Sequence, residues 1–211
     1  MKKKILIVDD HTIVRKGVQG LINKNFPSFE TCEAGTAAEA IAILSNHQFD
    51  LLILDLNLPD ANAEKVIHQI KSASHDSHTI VFSMFPINVM EKPMLKLGVS
   101  KYVNKGEDID LLKNAIEAVL YGTIKIKKSF SKSVEKESPF SDLSPKELSV
   151  MMAFFDGKSN KQIAENLSLS QSTVATYKQR VLEKTGATSM TDLLKIAIQF
   201  NLYSLVGRLE M

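Results

Sequence analysis

KKILIVDDH at residues 3–11 and LLILDLNLP at residues 51–59 are the two segments that decide the fold. In each segment a continuous apolar run ends on aspartate, at Asp9 and Asp10 in the first and at Asp55 in the second. A continuous apolar run, unlike an alternating one, is typical of a parallel strand that is buried on both faces. The two segments therefore predict parallel strands with acidic side chains at their carboxyl ends.

Three further apolar runs continue the pattern, at residues 29–34, 80–82 and 102–103. Segments with apolar residues at helical spacing separate the runs, so the order is strand then helix, five times. This order predicts right-handed crossovers and an α/β fold with a doubly wound, five-stranded parallel sheet over residues 1–121. The fourth helical segment, 89–97, contains Pro93, so we expect its helix to be short or irregular in the first turn.

The character of the chain changes near Gly122. Residues 122–141 are rich in Lys, Ser and Glu and predict a linker. From residue 142 the apolar spacing is helical only, and serines that precede the helical segments predict four capped helices. The sequence therefore predicts a small all-α domain over residues 142–211.

The overall composition excludes several classes of protein. The net charge is only +2 at pH 7, so a role in binding nucleic acid must rest on a local motif. The single cysteine, Cys32, excludes an internal disulfide framework and favours a reduced, cytoplasmic setting. No apolar run approaches the roughly 18 residues of a membrane span, so we expect no membrane partner.

The predicted sheet brings a chemically specific set of side chains to one edge. Asp9, Asp10 and Asp55 lie at the carboxyl ends of strands, where open α/β sheets bind ligands. Three carboxylates repel each other unless a cation balances them, and a donor set of oxygens alone favours Mg²⁺. The fourth strand ends at the hydroxyl of Ser83 and the fifth near the ammonium of Lys105. Such a set is suited to phosphoryl transfer onto an aspartate.

Four motifs carry these residues, namely ILIVDDH (5–11), LDLNLP (54–59), VFS (81–83) and KYVNK (101–105). In this order and spacing they resemble the receiver domain of two-component response regulators, which has a flavodoxin-like fold. The resemblance implies that Asp55 is the phospho-acceptor and that a sensor histidine kinase is the donor. It also implies that Asp10 and Asp55 bind Mg²⁺ through their side chains. Asp9 lies beside them, and Asn57 adds its backbone carbonyl.

The same resemblance assigns three residues to the phosphorylated state. Ser83 moves to bond the phosphoryl group, Lys105 pairs with it, and Tyr102 is the coupled aromatic switch. The chain departs from the family at Met84, where a small residue is common, and Phe85 follows it. We expect the bulk of these two side chains to slow the loss of phosphate.

The helical domain contains a short helix, a tight turn and a longer helix within residues 158–185, and the longer helix has a polar and basic outer face. This arrangement is typical of a helix-turn-helix. The segments LSPKEL (143–148), KSNKQIAE (158–165) and LSQSTVATYK (169–178) resemble the LuxR/NarL-type output domain. The resemblance implies that the helix from residue 171 enters the major groove of double-stranded DNA.

The resemblance also assigns individual DNA contacts. Towards the bases it places Ala175, Thr176 and Gln179. Near the DNA backbone it places Thr173, Tyr177, Lys178 and Arg180, and at the preceding helix Lys158 and Lys161 meet phosphates. Because alanine can touch a thymine methyl but cannot read guanine, base readout is sparse. We therefore expect a homodimer on a two-fold site, when the chain is phosphorylated or on DNA.

Other classes were weighed against this interpretation. A phosphatase of the haloacid-dehalogenase type needs a second aspartate where Asn57 stands, so we expect no enzyme. A nucleotide-binding Rossmann unit needs a glycine-rich turn where Asp9 and Asp10 stand. A phosphorylation-independent DNA binder and an interaction module without DNA binding remain as alternatives. The function we expect is transcriptional control by phosphorylation.

Overall fold

A computed structural model of the chain describes residues 3–58, 63–73, 77–122, 138–200 and 202. Most of the proposed linker lies outside the described residues. The chain divides into two compact units, residues 1–84 with 97–134 and residues 85–96 with 135–211. Residues 85–96 are thus grouped with the helical segment, which the boundary expected at residue 121 does not predict.

The sheet is parallel and five-stranded, in the order β2-β1-β3-β4-β5, which confirms the predicted doubly wound fold. Its strands are β1 (Lys3–Val8), β2 (Phe29–Ala34), β3 (Leu51–Leu54), β4 (His78–Ser83) and β5 (Lys101–Asn104). All four residues of β3 are buried, because helices cover both faces of the sheet centre. The apolar runs of the sequence are therefore the central strands.

Helices follow the strands as α1 (Thr12–Asn25), α2 (Ala37–Leu44), α3 (Ala63–Ala73), α4 (Ile87–Lys96) and α5 (Ile109–Tyr121). Apolar residues of α1 and α5, such as Ile22 and Ile116, pack against one face of the sheet. Burial of each such side chain stabilises the fold by about 1.5–3 kcal/mol. The expected irregular first turn of α4 is wrong, because the helix starts at Ile87 and Pro93 falls in its second turn.

The helical unit contains α6 (Pro145–Phe155), α7 (Asn160–Leu167), α8 (Gln171–Thr185) and α9 (Met190–Gln199). The predicted serine caps are confirmed, since each side chain accepts a hydrogen bond from a backbone N–H of its helix; they are Ser144, Ser159, Ser170 and Ser189. A shared core of Val150, Ile163 and Val174 joins α6, α7 and α8. Tight caps and this small core fix α7 against α8 as a helix-turn-helix.

The folded helical unit begins before residue 142, the start expected from the sequence. Phe140 is fully buried, and its ring meets that of Phe200 edge-on with centroids 6.0 Å apart. The helix α9 ends at Gln199. Within the described ranges, no helix has both the length and the apolar character that crossing a membrane requires.

Candidate functional site

The backbone places the site residues one step beyond the ends of the strands. The amide of Asp9 donates to Ala34 O at 3.1 Å, and the amide of Asp55 donates to Val8 O at 2.8 Å. The amide of Lys105 likewise donates to Ser83 O at 2.9 Å. The hydrogen-bond ladder of the sheet therefore continues into these residues and holds their side chains at a single edge.

Lys105 balances the two most buried carboxylates of the site. Its Nζ lies 2.6 Å from Asp9 Oδ2 and 2.7 Å from Asp55 Oδ2. The three side chains are only 8%, 4% and 3% exposed, respectively. Charge-assisted hydrogen bonds at such short distances are among the strongest in proteins. The ammonium thus allows two carboxylates to stay close together away from bulk water.

The remaining carboxylate, Asp10, is held by His11. The imidazole Nδ1 of His11 lies 2.5 Å from Asp10 Oδ1 and 3.4 Å from Asp9 Oδ1, and its backbone amide donates to Asp9 Oδ1 at 2.9 Å. His11 is also the residue that precedes α1, as the sequence led us to expect. Its side chain nevertheless joins the acidic cluster, which sequence reasoning did not foresee.

Two buried polar atoms of the site are left without a hydrogen-bond partner among the described residues. They are Asp55 Oδ1 and Ser83 Oγ, in residues that are 4% and 1% exposed. A buried polar atom without a partner costs about 1–3 kcal/mol, and a ligand that bound both of these atoms would recover this cost. Tyr102 is buried on β5, and Asn57 is exposed two residues after Asp55.

The donor set fits a hard divalent cation. Ligand atoms of Asp9, Asp10, His11 and Asp55 all lie within 4.8 Å of one another. Three carboxylates and the ammonium of Lys105 carry a formal net charge of −2, from three negative charges and one positive. A divalent cation neutralises this charge, and carboxylate oxygens are the ligands that Mg²⁺ prefers. The residues present therefore fit Mg²⁺.

A network of side-chain hydrogen bonds that sequence reasoning missed holds the backbone of the loop that contains Asp9. The guanidinium of Arg15 donates to the backbone carbonyl of Asp9 at 2.6 Å and to Glu33 Oε2 at 3.1 Å. The hydrogen bond from Lys16, at 2.6 Å, is the main cause that lowers the pKa of Glu33, although burial opposes it. An arginine on the first helix carries no motif signal, so only the folded structure identifies this role.

The helix α8 presents a polar outer face. Its exposed residues include Ala175, Thr176, Gln179 and Arg180, whereas Thr173 and Tyr177 are half-buried. Gln179 Nε2 donates to Glu183 Oε1 at 3.0 Å, a partner that sequence reasoning also missed. The exposed residues share one side of the helix, as a groove-binding helix requires.

The three lysines assigned to DNA differ in their surroundings. Lys161 is exposed, and Lys158 Nζ lies 3.7 Å from Asp156 Oδ2. Lys178, in contrast, is engaged within the helical unit. Its Nζ lies 4.3 Å from the centroid of the Phe154 ring and 3.2 Å from Asn160 Oδ1. Burial lowers the pKa of the Lys178 ammonium, which further separates it from a fully solvated cation.

A second ion pair fixes the end of α8 against α6. Lys184 Nζ lies 2.6 Å from Glu147 Oε2, and the Glu147 side chain is only 3% exposed. Glu147 also accepts from the backbone amide of Ser144 at 2.7 Å, which completes a capping box. Burial acts to raise the pKa of Glu147, but the hydrogen bonds from Lys184 and Ser144 outweigh it and lower the pKa.

Two known families match the chain, one over the segment that contains the acidic site and one over the helix-turn-helix. Residues 5–117 match the family described as response regulator receiver domain, and residues 141–197 match the luxR family of bacterial regulatory proteins. The chain is 30% identical to BvgA of Bordetella pertussis, described as a transcription regulator of virulence factors, over 96% of this chain and all of that one.

Solved structures with the same architecture come from RcsB of Salmonella. One, from Salmonella enterica serovar Typhimurium, is bound to promoter P1flhDC in the presence of the phosphomimetic BeF₃⁻; it shares 25% identity and a TM-score of 0.79, over 93% of this chain and 98% of that one. Another contains two RcsB dimers bound to two parallel DNAs, with 26% identity and a TM-score of 0.76, over 93% and 98%.

The chain therefore belongs to the NarL/FixJ-type response regulators, DNA-binding transcription regulators in which a receiver domain precedes a LuxR-type helix-turn-helix domain.

Proposed function

We propose that Asp55 accepts a phosphoryl group from the phosphohistidine of a sensor histidine kinase. A carboxylate oxygen of Asp55 attacks phosphorus, a P–O bond forms, and the P–N bond to the kinase breaks. The observation that carries this proposal is that the two carboxylate oxygens of Asp55 have different surroundings. Oδ2 is held by Lys105 at 2.7 Å, whereas Oδ1 is buried without a partner among the described residues.

Mg²⁺ supports this chemistry when it is bound, because it neutralises negative charge on the phosphoryl oxygens. Asp10 and Asp55 would hold it with their side chains and Asn57 with its backbone carbonyl, and Asp9 would lie beside them.

Ser83 and Lys105 receive the phosphoryl group in this proposal. The hydroxyl of Ser83 donates to a phosphoryl oxygen, which satisfies a buried group that has no partner among the described residues. The ammonium of Lys105 exchanges its ion pairs with the carboxylates for an ion pair with the phosphoryl group. Tyr102 then changes conformation as the coupled aromatic switch. The added negative charge thereby changes the surface near β5.

Intact mass spectrometry tests the acceptor directly. The chain is incubated with acetyl phosphate and Mg²⁺, and the expected result is a mass gain of one phosphoryl group. The Asp55→Asn variant keeps the shape of the side chain but lacks the nucleophilic carboxylate, so it gains nothing. An unmodified wild-type chain after this treatment, or an equal gain in the variant, contradicts the proposal.

The helical unit binds double-stranded DNA in this proposal. Bases face Ala175, Thr176 and Gln179, and the phosphate backbone faces Thr173, Tyr177, Arg180, Lys158 and Lys161. The surroundings of Lys178 favour a supporting role for that residue. The promoter-bound RcsB structures support this interface, since they share the architecture of both units. Selection of genomic fragments with and without phosphodonor tests it, and no enriched motif in either condition rejects it.

Homodimer formation on a two-fold site accompanies DNA binding. Because few side chains of one helix read bases, a single unit discriminates weakly between DNA sequences. Binding of two units to two half-sites increases both the affinity and the sequence discrimination. RcsB dimers on DNA support this part of the proposal. We further propose a cytoplasmic protein with regulatory rather than enzymatic function. Its receiver comprises residues 1–121 and its output domain residues 142–211, and the linker at 122–141 ends in a segment, with Phe140, that packs on the output domain.

A further inference from the structure

The side chain of Asn104, the last residue of β5, joins two loops. Its Nδ2 donates to the backbone carbonyl of Met84 at 3.3 Å, and its Oδ1 accepts from the backbone amide of Gly106 at 2.7 Å. The orientation of the amide follows from chemistry, because a carbonyl can only accept and a backbone amide can only donate. Asn104 therefore connects the loop after β4 with the loop after β5.

These loops carry the two residues that are proposed to bind the phosphoryl group. Ser83 pairs directly with Asn104 in the ladder between β4 and β5. Met84 follows Ser83, and Gly106 follows Lys105. Since Lys105 N also donates to Ser83 O at 2.9 Å, the Asn104 amide adds two bonds at the very point where the ladder ends.

Gly106 permits this connection. A Cβ atom built on Gly106 would lie 2.9 Å from Asn104 Oδ1, closer than real Cβ contacts allow. Gly106 is not among the glycines with positive φ, so the backbone itself does not require glycine there. The contact with Asn104 is therefore the reason that a side chain at residue 106 is unfavourable.

The hydroxyl of Ser83 is the group that this arrangement would position. It is buried without a partner among the described residues, a state that lowers stability until a ligand accepts its hydrogen bond. A backbone that is fixed before the ligand arrives leaves only the side chains to move when negative charge is added, so less reorganisation is needed. The bonds of Asn104 to Met84 O and Gly106 N hold the backbone next to Ser83 and Lys105 in this way.

We propose that Asn104 is a positioning residue that holds Ser83 and Lys105 in place for the phosphoryl group. The proposal rests on the phospho-acceptor function proposed above. Asn104 does not touch the phosphoryl group or Mg²⁺. It acts through the Met84 carbonyl and the Gly106 amide, and its loss weakens recognition of a phosphoryl group without weakening recognition of the metal.

Beryllofluoride, an analogue of the phosphoryl group, provides the test. Its affinity is measured by fluorine NMR at saturating Mg²⁺, and the affinity for Mg²⁺ alone is measured separately. The Asn104→Ala variant is expected to bind beryllofluoride about three- to tenfold more weakly, the effect of losing ordinary hydrogen bonds. Its affinity for Mg²⁺ is expected to stay unchanged.

Two further variants keep the test independent of folding. Asn25→Ala is the matched control, because Asn25 Nδ2 donates to Leu21 O at 2.8 Å on an exposed surface far along the chain. Gly106→Ala displaces the Asn104 amide without touching Asn104, and is expected to weaken beryllofluoride binding as well. The double variant is expected to be no weaker than Asn104→Ala alone, because both changes break the same connection.

The outcomes separate this inference from the proposed function. Equal beryllofluoride affinity in the wild type and Asn104→Ala overturns the inference and leaves the proposed function standing. A parallel loss of Mg²⁺ affinity, or additive effects of the two variants, also overturns it. A wild-type chain that binds no beryllofluoride with Mg²⁺ present overturns the proposed function instead.

Discussion

Lys105 supplies the positive charge that balances the buried carboxylates of the acidic site. Its ammonium lies within 2.7 Å of carboxylate oxygens of both Asp9 and Asp55, and all three side chains are nearly inaccessible to solvent. Removing one partner from a buried ion pair leaves the remaining charge without compensation and costs about 3–5 kcal/mol. A metal cation and the ammonium would thus both supply positive charge to the same carboxylates.

The Lys105→Met variant is expected to unfold at lower temperature than the wild type in the absence of metal. Adding Mg²⁺ is expected to raise its melting temperature by more than that of the wild type, because no ammonium competes for the carboxylates. Scanning calorimetry with and without Mg²⁺ measures both quantities. Lys113→Met serves as control, since Lys113 forms only a surface pair with Glu117 at 4.0 Å. Equal Mg²⁺-dependent shifts in Lys105→Met and the wild type contradict the account.

Lys161 and Lys178 provide a second contrast between individual residues. Lys161 is exposed, whereas the Lys178 ammonium packs on Phe154 and bonds to Asn160. Each phosphate contact contributes about 0.9 to the slope of log affinity against log salt. In salt titrations of DNA binding, Lys161→Met is expected to reduce the slope by about one, and Lys178→Met to leave it unchanged. The reverse order identifies Lys178 as the phosphate contact.

The site residues at strand ends were predictable, whereas Arg15 on α1 and His11 just before α1 were not. Asp9, Asp55 and Lys105 follow apolar runs directly, so their meeting at one edge follows from sheet geometry alone. Arg15 and His11 join the site through side-chain bonds whose partners lie on other elements or in the same loop. No spacing rule predicts such bonds, because they depend on rotamers that packing selects.

At the scale of elements, the turn of the helix-turn-helix stores backbone strain at Ser168. This residue ends α7 with φ of 54°, in the left-handed region that disfavours residues with a Cβ. Ser168→Gly is expected to stabilise the helical unit by about 0.5–1 kcal/mol. Ser172→Gly, inside the exposed first turn of α8, is the matched control and is expected to destabilise it. Amide hydrogen exchange across α7 and α8 in the full chain measures both, and a loss of protection in Ser168→Gly contradicts the interpretation.

The elements themselves followed closely from the sequence, with two instructive differences. The strands at 29–34 and 51–54 have the predicted bounds, and the second ends where its apolar run meets Asp55. The helix α4 begins before its apolar stripe, because Pro86 O accepts the first helical bonds, from Val89 and Met90. An apolar pattern marks the buried face of a helix but not its first turn, which backbone bonds define.

At the scale of the whole molecule, the ion pair between Glu147 and Lys184 makes the helical unit sensitive to acid. The pKa of Glu147 in the folded state lies below its ordinary 4.5, so the folded state binds fewer protons than the unfolded state in this range. Its contribution to stability is complete above the unfolded pKa and is lost as the pH falls through the folded pKa. Amide exchange of α6 and α8, corrected for its intrinsic pH dependence, is expected to show this loss below pH 4.5.

Glu147→Gln isolates this contribution. Glutamine keeps the acceptor for Ser144 N but loses the charge that pairs with Lys184, so the acid-induced loss of protection in α6 and α8 is expected to shrink. Above pH 4.5 the variant is expected to be less stable than the wild type by about 1–3 kcal/mol. An unchanged pH profile in the variant assigns the acid sensitivity to other groups.

The division of the chain was the least predictable feature. Polar composition after Gly122 indicated a linker, yet Phe140 within it is fully buried against the helical unit. A single aromatic residue in a polar segment gives too little pattern to predict that the segment packs on the helical unit. The grouping of residues 85–96 with the helical unit likewise depends on tertiary contacts that no local pattern encodes.

The central claim is that phosphorylation of Asp55 controls DNA binding. It is tested most directly by fluorescence anisotropy on a DNA fragment enriched by the chain, with acetyl phosphate and Mg²⁺ present or absent. We expect the phosphodonor to increase the affinity of the wild type for this DNA and to leave the affinity of Asp55→Asn unchanged. Equal affinities of the unphosphorylated and fully phosphorylated wild type, with phosphorylation verified by intact mass, would contradict it.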